Sequence, residues 1–190
     1  MTHSTISMAT PRRRVLLVGS SIMEQWSATA ALLPGAHVVN RAVGGTLTAY
    51  WVEHLATVLI EEQPDAVGIY CGSNDLNQDV SAAGIIANHA CCRAIMRHHN
   101  PTLPCAYFSI IKAPQKLGRW DVIDAINAAV RAQQPAGDLY LELNEVLCPA
   151  NQPVAPFYID DGLHMTPAAY ATLNAYFCPA LAAWRTRRLV

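Results

Sequence analysis

Apolar positions along this chain follow two alternating patterns. Short, nearly continuous apolar runs occur at 15–18, 37–40, 66–71, 105–111 and 139–143. They show little polar–apolar alternation, which is how strands buried on both faces read. Between them, apolar residues recur at helical spacing. One stripe holds Val52, Leu55, Val58 and Leu59, with Glu62 at its polar edge; a second holds Ile85, Ile86, His89, Cys92 and Met96. A third holds Trp120, Ile123, Ile126, Asn127 and Val130, and the last Tyr170, Leu173, Phe177, Leu181 and Trp184. Thr166 followed by Pro167 makes an N-cap and first-position pair for that final helix. Strand and helix alternating over the whole length predict a parallel sheet covered on both faces. Right-handed crossovers then give a three-layer α/β/α sandwich, with a sheet of about five strands and a flavodoxin-like arrangement. At 190 residues the chain suits one domain, read as 14–190 behind a short tail at 1–13.

Polar islands sit directly after the strand-like runs. Gly19-Ser20-Ser21-Ile22 follows the first, Asn40-Arg41-Ala42-Val43-Gly44-Gly45 the second, and Gly72-Ser73-Asn74-Asp75 the third. The longest irregular stretch, from Cys148 to about Leu163, carries Pro149, Pro153 and Pro156 and delivers Asp160-Asp161-Gly162-Leu163-His164. In an open parallel sheet such loops converge on the rim at the carboxyl ends of the strands. Gathered there, these residues have the makings of a serine hydrolase site. Ser21 needs a general base, and His164 is the best candidate. Asp161, three residues earlier, fits the imidazole Nδ1–H better than its neighbour Asp160 does. The Ser21 amide, a glycine amide of the Gly44-Gly45 turn and the Asn74 side chain are candidate oxyanion donors. Each island alone has a plainer reading: a strand-to-helix turn, an Asx-turn at Asn74, a local cap at Asp161.

Met23 stands where a G-x-S-x-G elbow needs glycine, which argues against the α/β-hydrolase arrangement. The four blocks in order instead resemble the GDSL, or SGNH, hydrolases. Residues 19–26 look like the first block with Ser21 at the nucleophile position, and 40–45 like the second with Gly45 at the oxyanion glycine. Residues 72–75 look like the third with Asn74 at the oxyanion asparagine, and 161–164 like the terminal DxxH pair. The stretch 109–114 with Arg119-Trp120 is also similar to a segment of bacterial members. The resemblance implies an SGNH-type fold and ester hydrolysis through a Ser21–His164–Asp161 triad, without cofactor or metal. One position departs from it: Ser20 stands where the family usually has aspartate, which makes Ser20 the second candidate for the attacking serine. Lys112 and Trp120 are candidate substrate-binding residues, with ordinary loop packing the alternative.

Composition narrows the field further. A net charge of −1 provides no footprint for nucleic acid or an anionic membrane. The basic clusters Arg12–Arg14 and Arg185/Arg187/Arg188 read as a solvated strand entry and a helix end. No apolar run approaches a membrane span, the first residues lack a signal-peptide pattern, and the expected location is cytoplasmic. The six cysteines lack metal-ligand spacing and read as mostly reduced and buried. Trp26 and Trp51, just past the first two blocks, read as core, as does His89. His98-His99 suit a helix C-terminus. The expected partner is a small-molecule ester, and aromatic residues of the last helix are a candidate homodimer surface. Rival readings are an acyltransferase to a sugar or other alcohol, a catalytically silent binding module, and a metal-dependent hydrolase using Asp161, His164 and Asp75.

Overall fold

The computed structural model describes residues 12–188, apart from the side chains of Arg185, Arg187 and Arg188. The tail assigned to 1–13 therefore lies almost wholly outside the described residues, as do the basic side chains at the end of the last helix. Five strands, β1 (Arg14–Gly19), β2 (His37–Asn40), β3 (Ala66–Tyr70), β4 (Cys105–Phe108) and β5 (Leu139–Leu141), form one sheet in the order β2-β1-β3-β4-β5. Every pairing is parallel, with Val15 of β1 beside Val38 on one edge and Ala66 on the other. The helices are α1 (Ser21–Glu24), α2 (Thr29–Leu32), α3 (Thr48–Glu62), α4 (Ser73–Asn77), α5 (Ala82–His99), α6 (Trp120–Ala132), α7 (Asn144–Leu147) and α8 (Pro167–Arg188). The three-layer α/β/α expectation holds.

Alternation within β1 shows why both faces must be covered. Val15 and Leu17 enter one core with Ile22, Met23 and Trp26 of the α1 region and Leu173, Phe177 and Leu181 of α8. Leu16 and Val18 enter the other, with Trp51 and Leu55 of α3, Cys92 and Met96 of α5 and Ile123 of α6. Trp26 and Trp51 are fully buried, so both belong to the core. The stripe read on α8 is buried as expected, although Pro179 lies within that helix on its exposed side. Of the α8 aromatics Tyr176 alone is half exposed, and its hydroxyl donates to Glu145. Tyr176 is thus the aromatic residue that α8 presents on the surface suggested for a homodimer.

β4 ends earlier than the apolar run from Cys105 to Ile111 suggests. Beyond Phe108 the backbone stays buried, but side chains replace the strand ladder. Asn127 accepts from the Ile110 amide at 2.9 Å and donates to its carbonyl at 2.8 Å, and Asn144 accepts from the Lys112 amide at 2.7 Å. This explains a polar residue on the apolar stripe of α6: buried backbone groups must find partners. His89 is buried and donates from Nε2 to the Cys71 carbonyl at 3.1 Å. Arg13 and Arg14 pair with Asp65 and Glu62 at the entry to β1.

Candidate active site

The strand order reverses direction between β1 and β3, and the crevice outside such a switch point is where open α/β sheets hold ligands. Ser21 opens α1 just after β1. Its amide heads a helix and so has no intrahelical acceptor. The chain can turn there because Gly19 has φ +142°, and a Cβ at that position would lie 1.8 Å from the Tyr70 carbonyl oxygen. That same carbonyl accepts from the Ser20 amide at 3.0 Å, fixing the end of β1 against β3.

The loop after β2 is tied to both neighbours. Asn40 donates to the Met23 carbonyl at 2.8 Å and accepts from the Ala42 amide at 3.1 Å. The Val43 amide donates to the Gly19 carbonyl at 2.9 Å. Gly45 then takes φ +77° at the third position of a turn from Val43 to Thr46, with open space around it. Asn74, near the start of α4, donates one amide hydrogen to the Thr46 carbonyl at 3.0 Å. Its amide group has a second hydrogen, so one anchors the side chain and the other remains available.

The long loop before α8 folds back on itself through a Tyr158–Met165 bridge and an Ile159 N–H bond to the His164 carbonyl at 2.9 Å. Within this turn Asp161 Oδ1 accepts from the Leu163 and His164 amides at 2.8 and 2.9 Å. Asp161 Oδ2 lies 2.5 Å from His164 Nδ1, and His164 Nε2 lies 2.9 Å from Ser21 Oγ. With the carboxylate accepting from Nδ1–H, Nε2 is the basic nitrogen and the Ser21 hydroxyl donates to it. Partial burial works to raise the Asp161 pKa, but the hydrogen bonds from His164 and the two amides outweigh it, and the net shift is downward. The carboxylate is thereby held charged.

The geometry separates the two serines. Ser20 is buried and its hydroxyl has no hydrogen-bond partner among the described residues, whereas Ser21 meets the histidine. Asp75, invoked in the metal-dependent alternative, is buried and accepts from the Thr48 amide at 3.0 Å and the Thr48 hydroxyl at 2.5 Å. It pins the start of α3. Among the described residues no group of three or more His, Cys, Asp or Glu is arranged to hold a metal ion. Lys112 donates to Asp124 at 2.9 Å and Asn151 at 2.5 Å, and the Trp120 indole donates to the Ala113 carbonyl at 3.1 Å. Both polar groups are thus taken up in holding the loop after β4. Thr46 escaped sequence reasoning, because its contribution is a backbone carbonyl. A cleft of about 420 Å³ between the α1–α2 segment and α8 has Gln25, one turn past Ser21, and Met165, next to His164, in its wall.

The sequence from 17 to 172 matches the model of the GDSL-like lipase/acylhydrolase family. The chain belongs to that family. It is accordingly a serine-type hydrolase acting on ester bonds. Several solved structures share its fold. A GDSL-like lipase from Bacteroides thetaiotaomicron VPI-5482 is 20% identical over 90% of this chain and 88% of its own, with a TM-score of 0.75. An acetyl esterase mutant with an acetate ion is 20% identical over 93% and 99%, TM-score 0.70. A carbohydrate esterase of family 3 from Talaromyces cellulolyticus is 19% identical over 92% and 99%, TM-score 0.68. No curated protein matches the sequence. Among the described residues no helix is long and apolar enough to cross a membrane.

Proposed function

We propose that the protein is an esterase for short acyl groups, acetyl among them, working through a Ser21–His164–Asp161 triad and an acyl-enzyme. The observation that carries this reading is the continuous chain of contacts, 2.9 Å from Ser21 Oγ to His164 Nε2 and 2.5 Å from His164 Nδ1 to Asp161. Ser21 Oγ attacks the ester carbonyl carbon as His164 Nε2 takes its proton. The developing oxyanion is held by the Ser21 and Gly45 amides and the second amide hydrogen of Asn74. Collapse of the tetrahedral intermediate breaks the bond to the alcohol oxygen, which receives the proton from His164. Water then attacks the acyl-enzyme, again giving a proton to His164, and the acid leaves as Ser21 recovers its hydrogen. Asp161 stabilises the imidazolium in both halves without being protonated.

The acetyl esterase among the structural neighbours favours a small acyl group. The 420 Å³ cleft walled by Gln25 and Met165 gives the alcohol half somewhere to lie. In this reading Lys112 and Trp120 serve by supporting the loop after β4, and buried Cys71, Cys92 and Cys105 suit the reducing cytoplasm. The test is hydrolysis of p-nitrophenyl acetate, butyrate and octanoate by wild type, Ser21→Ala and Ser20→Ala. Ser21→Ala should lose more than about 10³-fold in kcat, while Ser20→Ala keeps most activity and acetate leads the series. Wild-type turnover unaffected by Ser21→Ala would sink the assignment, and transfer of the acyl group to an added alcohol in preference to water would make the enzyme an acyltransferase.

A further inference from the structure

Lys116 is a buried cation with no anionic partner among the described residues, on a turn that contacts both the Asp161–His164 loop and α4. The chain leaves β4, crosses the rim, and winds into a 3₁₀ turn at Pro114–Arg119. Two contacts stretch this turn over the site. The Gln115 amide donates to the Gly162 carbonyl at 3.0 Å, inside the Asp161–His164 turn. The Lys116 ammonium donates to Asn77 Oδ1 on α4. Asn77 is three residues past Asn74, on the same helical face and about 4.5 Å along the axis. The ammonium is therefore held at Asn77, one helical turn along α4 from Asn74.

Its surroundings are unusual for a lysine. Lys116 is only 3% exposed, yet among the described residues no carboxylate lies within salt-bridge distance of it. The charged group that acts on it is another cation, Arg119, itself paired with Asp79 at 2.7 Å. Burial first, and Arg119 second, lower its pKa. Lys112, buried to a similar degree, shows the ordinary solution: a carboxylate and an amide oxygen close by. An ammonium has three hydrogens to donate, and Asn77 accepts from one. Removing such a group from water without a counter-charge is costly, so a site that keeps it gains from an anion brought in by a ligand.

Resting on the esterase reading above, we propose that Lys116 selects the acyl half of the substrate by meeting a terminal carboxylate. The favoured substrates are then half-esters of short dicarboxylic acids, of succinyl or glutaryl size. The alcohol oxygen must lie at His164 to receive its proton and the carbonyl oxygen at Asn74. The acyl chain is the part that continues along α4 toward Lys116, and one helical turn of reach sets its length.

Ethyl butyrate and monoethyl succinate test this directly, since a carboxylate replaces the terminal methyl and little else changes. Acid release by pH-stat should give wild type a kcat/KM about ten-fold or more higher on the half-ester, as a charge-assisted hydrogen bond allows. Lys116→Met should remove that preference, and Lys116→Arg should keep most of it. A purely structural Lys116 would lower both esters together and leave their ratio intact, overturning the proposal. So would a wild type that hydrolyses ethyl butyrate with no preference for the half-ester, a result that needs no folded variant. Absence of turnover on both esters, with Ser21 unlabelled by a fluorophosphonate, would overturn the esterase reading and this proposal with it.

Discussion

Adjacent serines at the end of β1 have opposite fates. Ser21 is wired to His164, whereas Ser20 donates its amide to Tyr70 and leaves its hydroxyl buried without a partner among the described residues. A buried hydroxyl in that state is a liability, so removing it should help. Ser20→Ala is expected to raise stability by up to about 1 kcal/mol, read as a higher urea midpoint at unchanged slope. A lower midpoint would mean that Ser20 has a partner in solution. The sequence could rank Ser21 ahead of Ser20 by spacing from Gly19, but only the fold shows which hydroxyl meets the imidazole. Lys112 illustrates the opposite case. Its neighbourhood in sequence leaves substrate contact and loop packing both open, and its contacts with Asp124 and Asn151 emerge only once α6 and the long loop are packed together.

The elements were legible to unequal degrees. The strands and the long helices announce themselves because burial on one or two faces dictates the periodicity of their apolar residues. The four-residue helices α1, α2 and α7 do not, since a single turn carries no periodicity and is held by tertiary contacts. Nor does the early end of β4, where Asn127 and Asn144 replace ladder partners from distant positions in the chain. Yet α1 is the element that presents Ser21, and its geometry depends on Gly19. Gly19→Ala would force a Cβ against the Tyr70 carbonyl in a conformation that side chains resist. We expect a loss of about 3 kcal/mol or more, measured by urea denaturation, together with lost turnover. A variant of near wild-type stability would show that β1 and β3 can separate locally without penalty.

At the scale of the whole molecule, the buried His89 gives stability an acid limit. Burial lowers its pKa below the ordinary 6.5, with nearby Arg93 lowering it further and the Cys71 carbonyl and Asp75 working against them. Once unfolded, the imidazole takes up a proton near 6.5, whereas in the folded protein it resists one. Acid therefore favours the unfolded chain, and this contribution is complete above pH 6.5 and shrinks as pH falls through that value. Urea midpoints measured from pH 7.5 down to 5 should decline less in His89→Gln than in wild type, and equal declines would clear His89 of the effect. The division of labour across the sheet has a wider consequence. Ser21 and the His164 loop rest on the core shared with α8, while Asn74 and α3 rest on the opposite core. All six cysteines are free, so no disulfide joins the two layers. In the proposed mechanism Ser21 and Asn74 are thus aligned only as well as two separately packed slabs keep their register across five strands. Warming that loosens either slab will quench turnover while the sheet is still intact, making activity a more sensitive thermometer of this fold than its circular dichroism.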